Sequence, residues 1–97
     1  MVVGVLTLEL HLPASNSLKA KRSVLNHVKE RIRTRFNVSV AEVDHNDSWQ
    51  LAGVAICCVS NSARHADEML TKVVKFIAGS RLDAELLDYE MEMLQAL

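Results

Sequence analysis

Between two stretches of helical periodicity this chain places one β-hairpin, and that placement limits the fold more than any other feature. In residues 36–51, FNVSVAEVDHNDSWQL, the β-branched Val38, Val40 and Val43 make the first part read as a strand. His45-Asn46-Asp47-Ser48 reads as a turn, and Trp49-Gln50-Leu51 as the start of a second strand. That second strand runs to Ser60 and is apolar in both registers. Leu51, Ala55, Cys57 and Val59 share one face; Ala52, Val54, Ile56 and Cys58 share the other. A strand of this kind is expected at the centre of a sheet, covered on both sides.

The flanking segments complete the pattern. Residues 2–12 alternate, with Leu6, Leu8, Leu10 and Leu12 on one face and Val3, Val5, Thr7, Glu9 and His11 on the other. Pro13 ends that strand, and Asn16 or Ser17 is placed to cap a helix over 18–35 whose apolar side holds Leu18, Val24, Leu25, Val28 and Ile32. The Ser60-Asn61-Ser62 segment offers a second cap. The helix after it, 63–78, buries Ala66, Met69, Leu70, Val73 and Ile77 and stops at Gly79. A last strand sets Leu87, Tyr89, Met91 and Met93 against Asp88, Glu90 and Glu92. The order is β-α-β-β-α-β. Right-handed crossovers and a single hairpin then point to a ferredoxin-like α+β sandwich over residues 1–97: a four-stranded antiparallel sheet with both helices on one face.

Composition narrows function by exclusion. A net charge of −1 gives no global pull toward nucleic acid or membrane. The apolar run 2–8 is too short to span a bilayer and lacks a signal-peptide layout, so the expected location is the cytoplasm, without a membrane partner. Cys57 and Cys58 are neighbours on a strand and point to opposite faces, which suits small apolar fillers better than a redox or metal pair. Asp44, His45, Asp47 and His11 fit no metal-ligand spacing, and Asp47 is expected to bond turn amides and orient Trp49. No nucleophile–base constellation and no phosphate-cradling loop is legible, so neither an enzyme nor a cofactor is expected; an enzyme acting in the hairpin region ranks last.

Charge is local instead. The 18–35 segment carries seven of the eleven basic residues, opposed only by Glu30. Lys19, Lys21, Arg22, Lys29 and Arg33 are the candidate nucleic-acid contacts, with Lys19, Arg22, Lys29 and Arg33 in line along one side. The sheet is a poor RNA reader, since its central strands lack stacking aromatics apart from Trp49 at one end, and there is no GxxG clamp. The face carrying Val3, Val5 and one register of the second hairpin strand is left open by the two helices, so a homodimer or docking to a partner is expected through it, and a homo-oligomer without nucleic-acid binding is the alternative reading.

Ser17-Leu18-Lys19 with Lys21-Arg22, then Phe36-Asn37-Val38-Ser39-Val40-Ala41-Glu42, then Asp47 and Trp49, closely resemble the YlxP-like bacterial family of unknown function, over nearly the whole chain. The resemblance implies the ferredoxin-like fold and brings no catalytic residue. Genes of that family often lie beside those for translation initiation factor two and ribosome-binding factor A, which implies a role in ribosome maturation or translation, with a ribosomal subunit or RNA as partner. Phe36, Asn37, Ser39, Glu42, Asp47 and Trp49 stand out through this match and are expected to shape the hairpin or touch a partner.

Overall fold

A computed structural model describes residues 1–97. Its elements are β1 (Val2–His11), α1 (Leu18–Arg35), β2 (Ser39–Asp44), β3 (Leu51–Ser60), α2 (Ala63–Ala78) and β4 (Glu85–Gln95). The strands form one antiparallel sheet in the order β2-β3-β1-β4, so the ferredoxin-like α+β sandwich read from the sequence is the fold of the chain.

Both helices start on a serine. The hydroxyls of Ser17 and Ser62 accept from the amides of Ala20 and His65 at 3.0 and 3.3 Å, satisfying donors that have no partner within the helix. α1 ends in Arg33 and Arg35, which suit the negative end of the helix dipole. Gly79 caps α2 at φ −96°, outside the left-handed region, and its amide bonds back to Lys75.

The core lies between the helices and one face of the sheet. Leu6, Leu8 and Leu10 of β1, and Leu12 just after it, are fully buried in a core with Val54 and Ile56 of β3 and the inner sides of both helices. Gly4 lets α2 come down onto β1: a Cβ there would lie 2.9 Å from Leu70 Cδ1 and 3.1 Å from Cys58 Sγ.

Three expectations are corrected. β3 is central but covered on one side only, and Val59 in its outer register is 68% exposed. Small residues at 53, 55 and 57 sit low between neighbouring strands, so an apolar outer register arises without a second layer. Trp49 is not in the strand, which begins at Leu51; it lies in the turn and is 55% exposed. In β4 the register shifts beside Leu10, which pairs with Leu86, so Leu87 falls in the bulge and is exposed; Tyr89 keeps the inner register opposite Leu8 but stays exposed on this edge strand. A strict two-residue alternation cannot carry through such a shift.

Candidate nucleic-acid interface

The chain separates its charges by layer. The four strands contain no Lys or Arg, yet hold Glu9, Glu42, Asp44, Glu85, Asp88, Glu90 and Glu92. Seven of the eleven Lys and Arg residues are on α1. Lys19, Arg22 and Arg33 are exposed and Lys29 is half-buried. Their spacing of three, seven and four residues keeps them along one side of the helix over roughly 21 Å. No carboxylate lies within 4.0 Å of any of these four cations; the ion pairs of α1 are limited to one, made by Lys21. Arg33 donates from Nη2 to the Val40 carbonyl at 3.0 Å, and Arg35 stands 4.9 Å from the centre of the Phe76 ring, so the end of the helix is tied to β2 and α2 while most guanidinium donors stay free.

Lys21 is the exception and does not belong to this surface. It is only 2% exposed and occupies the buried stripe of α1 with Leu25, Val28 and Ile32. Its Nζ donates to the His45 carbonyl at 2.6 Å and lies 3.0 Å from Glu42 Oε2. That contact lies off the hydrogen-bond axis, which leaves the buried Oε2 with charge attraction but no aligned donor. A phosphate cannot reach this amine. The signal was present in the sequence: positions 21, 25, 28 and 32 share one helical stripe, and Glu42 is two residues from the inward-facing Val40. Reading lysine as solvent-facing hid it.

The pair explains how the hairpin is held. β2 pairs with β3 through Val40↔Ile56 and Glu42↔Val54, and a shift after Glu42 sets Asp44 opposite Gly53. A Cβ at Gly53 would lie 2.6 Å from Asp44 Cβ, so glycine is required for this approach. His45 then turns at φ 59°, with its amide bonded to Asp44 Oδ1 at 2.8 Å. Ser48, not Asp47, closes the turn: its Oγ accepts from Gln50 and Leu51, and its amide donates to His45. Asp47 makes no hydrogen bond and Trp49 is free of it, which corrects the expectation that Asp47 orients Trp49. Phe36 packs edge-on to Phe76 with centroids 5.7 Å apart, whereas Asn37 and Ser39 are exposed. The hairpin residues therefore do not converge on one site.

On the open face a row runs across all four strands: Asp44, Gly53, Glu9 and Asp88. His45 Nε2 lies over it, 3.4 Å from Glu9 Oε1 and 3.9 Å from Asp44 Oδ2. The cavity here is shallow, about 220 Å³, and also touches Thr7 and Glu90. No group of three or more His, Cys, Asp or Glu side chains is placed to hold a metal ion. Cys58 is buried on the helix side and Cys57 half-buried on the other; both are free thiols. Burial pushes the Cys58 thiol up, opposed by a backbone hydrogen bond at Gly4 and reinforced by Cys57. No helix is long and apolar enough to cross a membrane.

Comparison with known proteins agrees with the YlxP-like resemblance. The chain is 34% identical over 76 residues to the uncharacterized protein YlxP of Bacillus subtilis (strain 168), a match covering 78% of this chain and 83% of that protein. Among solved structures it is similar, at 13% identity and a TM-score of 0.48, to LarC2, the C-terminal domain of a cyclometallase involved in the synthesis of the NPN cofactor of lactate racemase, in its apo form; all of this chain but only 58% of that chain is covered. A family model described as a protein of unknown function, DUF503, matches residues 3–91, and the chain belongs to that family.

Proposed function

We propose that the protein is a non-enzymatic binding protein that docks on the phosphate backbone of structured RNA, in ribosome maturation or translation, through the exposed side of α1. The observation that carries this is the line of Lys19, Arg22, Lys29 and Arg33 without a carboxylate partner. Cations already paired within a protein gain little from a phosphate, whereas unpaired ones release counterions on binding. The rest of the molecule favours that orientation: the sheet is acidic and would repel RNA, so the helix layer meets it. Recognition then rests on backbone and shape, with little base reading. The gene neighbourhood implied by the YlxP-like resemblance adds the ribosome as the source of that RNA.

The competing reading, a homo-oligomer joined through the open sheet face, is favoured by the exposure of Val59 and Leu94 but must bring Glu9, Asp44, Asp88 and Glu90 of two copies toward each other. The test is co-sedimentation with ribosomal subunits at low and moderate salt, beside a K19A/R22A/K29A/R33A variant. Binding that rises at low salt and is lost in the variant supports the proposal. No co-sedimentation at either salt overturns its ribosomal part.

A further inference from the structure

We infer that the open face of the sheet is a docking surface for a basic amphipathic helix of a partner protein. The register divides this face in two along the strands. At one end Val3, Val59 and Leu94 form one row, and Val5 and Cys57 continue it in the next, where Glu92 flanks them on the edge strand β4. Val59 and Leu94 are 68% and 42% exposed, so the strip is open to contact. Toward the other end Thr7 and Ala55 give way to Glu90, and then comes the row of Asp44, Glu9 and Asp88. Gly53 in the middle of that row leaves the carboxylates standing around a shallow dip.

The occupant follows from charge and length. No strand contributes a Lys or Arg, and the basic side chains that meet carboxylates on this face are His45 and His11. A nucleic acid is repelled here. A second copy of this chain brings the same carboxylates, and its own basic helix has its apolar stripe already buried in the core, so it cannot supply both halves of the contact. A foreign helix with apolar residues followed by Lys or Arg matches both. From the Val3 row to the Glu9 row is six residues of strand, roughly 20 Å. A helix covers that distance in about 14 residues. Such a helix stacks on the sheet as α1 and α2 do on the other side and adds the missing third layer. This surface lies opposite the cationic side of α1 and does not rest on the RNA reading.

The test is fluorescence anisotropy with a labelled peptide about 16 residues long, built of Leu, Ala, Lys and Arg with its apolar stripe toward one end, and a control with Glu in place of each cation. The basic peptide is expected to bind saturably and the acidic control not to bind. E9Q/D88N/E90Q weakens binding and flattens its salt dependence. Val59→Asp separates docking from simple charge attraction, because it adds a negative charge beside the apolar strip. Docking predicts weakening of about tenfold, the effect of losing one buried valine, whereas charge attraction alone predicts tightening. Leu94→Ser gives a second reading at a site near the chain end, and circular dichroism checks that each variant is folded. Equal binding of both peptides, tighter binding by Val59→Asp, or no saturable binding would overturn the proposal. So would sedimentation showing a dimer that Val59→Asp dissociates, since a second copy would then cover the face.

Discussion

Replacing Lys21 by Met keeps the bulk of the α1 stripe but removes the ammonium. Glu42 Oε2 is then left in a site nearly closed to water, and the His45 carbonyl keeps only the Ser48 amide as donor. Glu42 retains 25% of its side-chain surface in solvent, so the carboxylate can turn outward and rehydrate. The cost is therefore about 2–3 kcal/mol, below the ~3–5 kcal/mol of a fully buried pair. Glu42→Gln costs more, about 3–4 kcal/mol, because Lys21 is only 2% exposed and has no comparable way out. The double variant K21M/E42L replaces the pair by an apolar contact and removes one of the two donors to the His45 carbonyl, at about 1 kcal/mol. Urea denaturation with unchanged m-values measures all three, and the double-mutant cycle isolates the coupling. Hydrogen exchange should also show the 44–48 turn opening faster in both single variants, since Lys21 ties its carbonyl to α1. Single variants within about 0.5 kcal/mol of the parent, or a double variant costing the sum of the singles, would refute a buried pair that holds the hairpin.

Other substitutions test the packing and the thiols. Gly4→Val pushes a branched side chain into Leu70 and Cys58 and is expected to cost about 1–3 kcal/mol, or more if α2 cannot shift, by thermal melting. Ser48→Ala removes an acceptor shared by Gln50 and Leu51 and should cost about 1 kcal/mol, while Asp47→Ala should leave stability unchanged; the reverse order would contradict the turn described. Iodoacetamide should alkylate Cys57 first and reach Cys58 only on unfolding, and equal rates by mass spectrometry would contradict its burial. Because burial raises the Cys58 pKa, the unfolded chain gives up this proton at lower pH than the folded one. Its contribution to stability is thus full below the ordinary thiol value of 9.0 and declines as pH rises through the raised value; the Cys58→Ala variant should lose that alkaline decline.

The sequence carried the architecture because its signals agree with one another. Both helices begin on a cap among those the sequence offers, Ser17 rather than Asn16 and Ser62 of the 60–62 segment, and run over the residues that their periodicity marks. The leucines of β1 alternate without interruption and are all buried. What misled was of two kinds. At 43 and 87 a bulge shifts the side-chain alternation, and nothing in Val43 or Leu87 announces it. At Lys21 and Glu42 charged side chains occupy apolar positions, and their complementarity appears only when α1 and β2 are brought together. The same pair reassigns two residues of the YlxP-like motif: Lys21 and Glu42 are positioned to build the hairpin, which leaves Lys19 and Arg22 as the motif's exposed cations. The candidate surface was legible as a row of cations, but their lack of partners was not, since it depends on the acids being gathered on the other layer.

The most direct test of the account is the salt dependence of RNA binding by the intact protein, measured by anisotropy on a labelled RNA hairpin. Four phosphate contacts along α1 predict that log Kobs falls against log salt with a slope of about −3 to −4. Removing Lys19, Arg22, Lys29 or Arg33 singly should reduce that slope by about one each, with the Lys21→Met slope unchanged because that amine is buried. A slope and affinity that stay the same when all four are replaced by Ala would contradict the account, as would the absence of any binding at about 50 mM salt.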